Sequence, residues 1–226
     1  MDPMAMLALA CAAFVVTHFV SSTPLRPALA GAIGEKGYLV VYTLVSFAML
    51  GWMAWAYGRA PLTAPLFPGL RWLPLLALPL VFALLTCGLF TRNPTLVGSE
   101  HLLRRPNAAH GILRVTRHPV MWALMLWAIV HILARGGDRK ALLFFGTFVV
   151  VAGLGTILMD RRKADKMGTD WAKFAAVTSN VPFVAILQGR NRFKGDEIGL
   201  HTPAIGVGLY ALFFWAHPFI FRAYPY

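Results

Sequence analysis

Long apolar stretches separated by short polar ones dominate this chain. A helix needs about 20 mostly apolar residues to cross the hydrocarbon of a bilayer, and six stretches approach or reach that length. They are Met4–Ser22, Gly37–Tyr57, Trp72–Phe90, Pro119–Ala134, Ala141–Met159 and Pro203–Phe221. The pattern predicts an all-α fold, a polytopic membrane bundle of about six transmembrane helices, with residues 1–226 forming a single domain.

Prolines modify two of these boundaries. Pro74 and Pro79 lie inside the third stretch, so its helix should begin late or be kinked, because proline interrupts a helix beyond its first turn. The fourth stretch begins at Pro119 and is short. We therefore consider a helix that starts earlier and includes Arg117 and His118.

Composition supports a protein that lies mostly in lipid. The chain is 58% hydrophobic and 13% charged, with a mean hydropathy of +0.63, whereas a soluble domain has roughly 25% charged residues. Cys11 and Cys87 are the two cysteines, and neither belongs to a CxxC motif. This spacing argues against covalent c-type haem and against an iron–sulfur cluster.

The net charge of +12 is explained by membrane topology and not by nucleic-acid binding. The first, third and fifth loops between the apolar stretches hold 15 of the 21 lysines and arginines. Loops rich in these residues face the cytoplasm. We therefore expect a multi-pass protein of a bacterial cytoplasmic membrane, in contact with membrane lipids, with both termini on the periplasmic side.

The fifth loop contains a candidate surface helix. Lys163–Val177 alternates polar and apolar residues with helical spacing. Such a segment can lie on the membrane surface with its aromatic residues as anchors, here Trp171 and Phe174. We predict a cytoplasmic amphipathic segment at this position.

His18 and His131 lie inside apolar stretches, where an ionisable side chain is costly and usually functional. Neutral imidazole is a common ligand of iron and other metals. Depth favours pairing His18 with His118, or His131 with His217, whereas His18 with His131 requires displaced helices or different boundaries. A hydrogen-bonded contact between helices is the alternative for each histidine.

Three arginines accompany these histidines at the ends of the apolar stretches. Arg26 follows the first stretch, and Arg114 and Arg117 precede the fourth, beside His118. A guanidinium group suits a bidentate carboxylate or phosphate partner. These four residues are candidates for contacts with a haem propionate, a phosphate-bearing cofactor or a lipid headgroup.

The motifs, taken in order, resemble the NnrU family over nearly the whole chain. They are His18 with the following Ser-x-x-Leu-Arg, Gly34–Lys36, Gly111–Pro119, His131, Asp160–Arg162, Thr178–Ile186, Gly189-Arg190 and Ala216–Pro218. Some members of this family are associated with denitrification and nitric oxide. Plant relatives are ζ-carotene isomerases, membrane proteins with non-covalent haem b that convert a central cis double bond to trans.

The resemblance implies haem b ligated by His18 and His131, which would also be the catalytic residues, and a lipid-soluble polyene as substrate. Two positions depart from the pattern. The plant enzymes have a cysteine three residues before the second ligand, where this chain has Ala128. The family pattern has a glycine shortly after Arg117-His118-Pro119, where this chain has Ala123. A thiolate ligand at position 128 is therefore excluded.

Three other functions fit part of the pattern. A haem protein linked to nitric oxide would bind a small gas ligand or exchange electrons with a redox partner through the same histidines. A membrane methyltransferase would use the region of Arg117 and His118, but acidic and glycine-rich cofactor contacts near the C-terminus are not evident. A helical scaffold would leave the ordered histidines and arginines without a role.

Overall fold

The computed structural model describes residues 1–96 and 98–221. Within those ranges the regular elements are helices, and none is a strand. The α-helices are α1 (Pro3–Phe19), α2 (Leu25–Arg59), α3 (Leu73–Phe90), α4 (Pro119–Ala134), α5 (Arg139–Val177), α6 (Val184–Leu187) and α7 (His201–Phe221). Short 3₁₀ turns lie at Val20–Ser22, Glu100–Arg104, Gly111–Arg114 and Gly195–Glu197.

The predicted membrane bundle is confirmed. Helices α1, α2, α3, α5 and α7 are long and apolar enough to cross a membrane, and α4 is a shorter apolar helix. Four of the six predicted stretches coincide with or lie inside one of these helices. Met4–Ser22 continues past α1 into the 3₁₀ turn Val20–Ser22, and Trp72–Phe90 begins one residue before α3. The chain is therefore a multi-pass helical membrane protein.

The structure settles the two boundaries that proline affects. Helix α3 begins at Leu73, one residue into the predicted stretch, so the helix does not start late. Pro74 lies in its first turn, where a missing N–H costs little, and Pro79 lies inside the helix. Helix α4 begins at Pro119, so the proposed extension through Arg117 and His118 is wrong. The physical reason is steric, because a residue that precedes proline is disfavoured in the α conformation.

Two helices are longer than the apolar stretches they contain. Helix α2 begins at Leu25 and is interrupted at Gly34, where φ is +76°. Helix α5 continues to Val177 and is interrupted at Gly168, where φ is +49°. Glycine adopts positive φ without a steric penalty. The part of α5 before this break is longer than the roughly 20 residues that cross a bilayer, so the charged part from Asp160 onward extends beyond the hydrocarbon.

The first of two compact units comprises Met1–Arg71 and His131–Val151. Helix α1 packs against α2 around a core of Leu7, Ala10, Cys11, Phe14, Met53, Ala56 and Ala60. The turn before α5 is held by the Leu66 N–H, which donates to the Gly136 carbonyl at 2.9 Å. The Asp138 carboxylate caps α5 by accepting from the Ala141 N–H at 3.1 Å.

The second unit comprises Trp72–Val130 and Ala152–Tyr226. Helices α3 and α7 pack closely, and the Thr86 hydroxyl on α3 donates to the Thr202 carbonyl on α7 at 3.0 Å. A core next to the end of α3 consists of Cys87, Leu103, Ile112, Leu113, Val115, Trp171 and Phe174. Both units use separated parts of the chain, and the single domain over residues 1–226 stays a prediction.

The expectation that Trp171 and Phe174 anchor the chain in the membrane surface is wrong. Their exposed fractions are 4% and 3%, and their rings lie 5.6 Å apart inside the second unit's core. The helix itself is present as the second half of α5. Its apolar face is covered by protein, including Leu103 and Leu113, and an amphipathic sequence alone does not distinguish a protein cover from a lipid cover.

Candidate functional site

His18 lies in the last turn of α1 among aromatic rings. Its ring centroid is 4.9 Å from that of Phe14 and 5.8 Å from that of Tyr42. The Tyr42 hydroxyl on α2 donates to the His18 carbonyl at 3.1 Å, which joins the end of α1 to α2. The His18 Nδ1 atom is buried and has no hydrogen-bond partner among the described residues. This imidazole is thus held by packing, with hydrogen-bonding capacity left for a ligand.

His131 lies near the end of α4 and belongs to the same unit as His18. Its ring stacks on Phe145 of α5 at 4.7 Å. A continuous set of ring contacts, here called the aromatic series, links the two histidines. From His18 it passes through Phe14, Phe148, Phe144 and Phe145, whose successive centroids are 6.0, 5.5 and 5.1 Å apart.

The division into units separates the candidate pairs of histidines. His18 and His131 lie in the first unit, whereas His118 and His217 lie in the second. His217 is on α7, with its ring 4.8 Å from that of Phe221. Of the pairs considered from the sequence, the first unit therefore contains His18 with His131, the pair that helix depth alone did not favour.

His118, which is buried, belongs to a half-buried polar cluster in the second unit, centred on Asp160. The Arg117 guanidinium donates to the Asp160 carboxylate through Nε at 3.0 Å and through Nη2 at 2.5 Å. His118 Nε2 lies 2.6 Å from Asp160 Oδ1, and the Asn180 amide lies 3.4 Å from Oδ2. We call these four residues the Asp160 cluster. The His118 side chain is 1% exposed, so the carboxylate is its main polar partner.

The Asp160 cluster fixes the entry to α4 against the end of α5. The Arg117 N–H donates to the Ser179 carbonyl at 2.9 Å, and the Trp122 indole donates to the Asn180 carbonyl at 2.8 Å. His118 Nε2 faces the carboxylate, and the other ring nitrogen, Nδ1, is buried with no hydrogen-bond partner among the described residues. A carboxylate that orients a histidine in this way is typical of positioned imidazoles.

Arg114 binds Glu197 in a bidentate pair. Its Nε and Nη2 lie 2.7 and 2.8 Å from the two carboxylate oxygens, and its Nη1 donates to Asn191 at 2.7 Å. The Gly111 N–H adds a bond to Glu197 at 2.8 Å. The hydrogen bonds from Arg114 lower the pKa of Glu197 to about 2. This pair holds the turn before α4 to the chain that precedes α7.

Arg26 pairs with Glu35 in the first unit, across the break in α2 at Gly34, and lies 5.2 Å from the Tyr38 ring centre. Arg26, Arg114 and Arg117 therefore each have a carboxylate partner within the chain. Of these three, Arg26 shares a unit with His18 and His131. Contacts between these arginines and a haem propionate stay a prediction.

Sequence reasoning missed the acidic partners in this region. The sequence motifs include Asp160 without indicating its partner, and they assign no role to Glu197 or Asn180. The low number of acidic residues could have indicated these partners. The chain has 9 acidic against 21 basic residues, so a carboxylate close to basic side chains is expected to pair with one of them. The described residues contain no group of three or more His, Cys, Asp or Glu side chains that could hold a metal ion.

The fold and these sites define a multi-pass helical membrane protein with two histidines joined by aromatic contacts. The family model described as "NnrU protein" matches residues 6–225. The chain belongs to that family.

The chain is similar to two plant proteins named "15-cis-zeta-carotene isomerase, chloroplastic". The protein from Arabidopsis thaliana is 33% identical over 115 residues, and that from Zea mays is 29% identical over 119 residues. Each match covers 48% of this chain and 30% of the relative, so the chain aligns with under a third of each relative's length. No solved structure matches the chain.

Proposed function

We propose that this protein is a haem-b-dependent membrane isomerase that converts a cis double bond of a lipid-soluble polyene to trans. The similarity to two proteins named 15-cis-zeta-carotene isomerase is the observation that carries the proposal. The placement of His18 and His131 in one unit, joined by the aromatic series, supports it.

His18 and His131 are the residues that would hold the haem. The fit rests on the buried, unpartnered Nδ1 of His18 and on the apolar rings around both imidazoles. Neutral imidazole is a standard axial ligand of haem iron. When bound, the haem supplies electron sharing that lowers the barrier to rotation about a double bond.

The chain's own contribution is binding and orientation in an apolar environment. Phe144 and Phe148, the half-buried rings of the aromatic series, offer flat surfaces against which a conjugated polyene can pack. Helix α2 exposes Val40, Leu44 and Phe47, as expected of a surface that faces lipid, so an apolar substrate can reach the unit from the bilayer. Rotation about a double bond transfers no proton, so the reaction needs no general acid or base.

We further propose that the protein resides in a bacterial cytoplasmic membrane with both termini on the periplasmic side. The distribution of lysine and arginine supports this orientation. Residues 222–226, at the C-terminus, lie outside the described residues.

The test begins with detergent-purified protein expressed with a haem precursor. Oxidised and dithionite-reduced absorption spectra and a pyridine haemochrome assay should show about one haem b per chain. We expect His18→Ala and His131→Ala to lose most of the haem, and His201→Ala, at the exposed start of α7, to retain it. The matching activity assay follows conversion of 15-cis-zeta-carotene in mixed micelles by chromatography, under reducing conditions.

The outcomes separate the alternatives. Haem loss in His118→Ala or His217→Ala, with His18→Ala and His131→Ala unaffected, would reassign the ligands. Protein that carries haem but leaves the carotene unchanged would overturn the isomerase proposal in favour of electron transfer or gas binding. A colourless protein would overturn the haem proposal.

A further inference from the structure

The second unit contains an open cavity of about 590 Å³ with a basic lining. It lies between the chain around residues 103–109, the charged second half of α5 and residues 190–191. Its charged side chains are Arg104, Arg105, Arg114, Lys173, Arg190 and Asp170. We call this the basic cavity.

The chain neutralises only part of this charge. Arg104 lies 3.3 Å from Asp170, and Arg114 is paired with Glu197. Arg105 and Lys173 are exposed, and neither takes part in an ion pair among the described residues. The basic cavity therefore keeps an excess of positive charge, to which these two exposed side chains contribute.

Arg190 is held in a fixed position at one wall of the basic cavity. Its guanidinium Nη1 donates to the carbonyls of Ala176 and Thr178 at 2.6 and 2.9 Å, at the C-terminal end of α5. Carbonyls at this end of a helix carry a partial negative charge, which the guanidinium offsets. The wall thus presents a fixed cation without a carboxylate partner among the described ion pairs.

We propose that the basic cavity binds a phosphate-bearing anion, supplied either by the headgroup of an acidic phospholipid or by a free phosphate compound. Guanidinium groups match the geometry of phosphate oxygens, and an ammonium group adds a mobile point charge. Basic pockets on the cytoplasmic side of membrane proteins bind acidic lipid headgroups. The cavity volume lies in the range of small-ligand sites. The proposal does not depend on haem or isomerase activity, since His18 and His131 belong to the other unit.

The test compares two double variants of equal charge. Arg105→Glu with Lys173→Glu reverses the unpaired cations of the cavity. Arg161→Glu with Arg192→Glu reverses two exposed cations that do not line it. Native mass spectrometry of the full chain in detergent would measure binding of dioleoylphosphatidylglycerol against dioleoylphosphatidylcholine. Isothermal titration with inorganic phosphate and pyrophosphate would measure the free anion.

We expect the cavity variant to bind its anion at least roughly thirtyfold more weakly, since the loss of each basic residue near a phosphate costs about 1 kcal/mol and the two added carboxylates repel the anion further. The control variant should bind within about threefold of wild type. Selective loss of phosphatidylglycerol identifies the lipid as the source, and selective loss of phosphate or pyrophosphate identifies the free anion. Equal loss in both variants, or no binding of any probe by wild type, would overturn the proposal. Arg105→Gln with Lys173→Gln tests the same site with neutral side chains.

Discussion

Glu197 depends on Arg114 for its low pKa, and this makes the second unit sensitive to acid. The folded pKa is about 2, against an ordinary value of 4.5. The resulting stabilisation is complete above the unfolded pKa and is lost as the pH falls through the folded one. We predict that the thermal midpoint of wild type in detergent falls more steeply between pH 5 and about pH 2.5 than that of Glu197→Gln.

The matched control for this titration is Asp196→Asn. It removes the neighbouring carboxylate but leaves the pair between Arg114 and Glu197 in place. Its midpoint should follow that of wild type across the same pH range. Parallel curves for wild type and Glu197→Gln would show that the pair does not stabilise the fold.

For individual residues, the sequence indicated which side chains are unusual for their position but not which side chains they contact. His18 and His131 stand out because an ionisable side chain in an apolar stretch is rare. Asp160 lies 43 positions from Arg117, and Glu197 lies 83 positions from Arg114. Such pairings depend on how distant segments meet in the fold, and periodicity and composition do not encode that information.

Helices α3 and α7 approach closely in the second unit, and Gly206 permits it. A Cβ atom at Gly206 would lie 2.6 Å from the Phe82 carbonyl oxygen and 2.6 Å from Thr86 Oγ1. Small residues allow membrane helices to approach in this way. We predict that Gly206→Leu separates the two helices and destabilises the protein by about 1–3 kcal/mol, measured as a lower thermal midpoint in detergent.

Gly208, two residues further along α7, provides the control. Nothing lies within 4 Å of a Cβ atom built there, so Gly208→Leu adds an apolar side chain to open space. Its thermal midpoint should match that of wild type. If both variants lose stability equally, the contact with α3 would not be the cause, and helix propensity would not explain the loss either, because leucine is a better helix former than glycine.

The helices themselves were largely predictable, since a run of apolar residues long enough to cross a bilayer has few alternatives. The exceptions are the polar extensions. Residues 25–36 belong to α2, and the charged segment after Asp160 continues α5. Each extension contains a glycine with positive φ, Gly34 in α2 and Gly168 in α5, and the chain is helical on both sides of it. A hydropathy pattern does not reveal such a local interruption.

For the whole molecule, the membrane topology depends on whether α4 crosses the bilayer. Its 16 residues measure about 24 Å, less than the roughly 30 Å of hydrocarbon, while its neighbours are longer. The positive-inside argument requires α4 to cross, because it assigns residues 91–118 and 160–202 to the cytoplasm and residues 135–140 to the opposite side. If α4 did not cross, residues on either side of it would face the same compartment.

Cysteine accessibility tests this directly. Leu62→Cys, Asn107→Cys, Arg139→Cys and Arg192→Cys place single reporters at exposed positions in four successive loops. In spheroplasts, a membrane-impermeant maleimide should label the variants at 62 and 139, and should label those at 107 and 192 only after permeabilisation. Wild type is the control, since Cys11 and Cys87 are buried. Labelling of 107 and 139 under the same condition would show that α4 does not cross, which would place the two termini on opposite sides of the membrane.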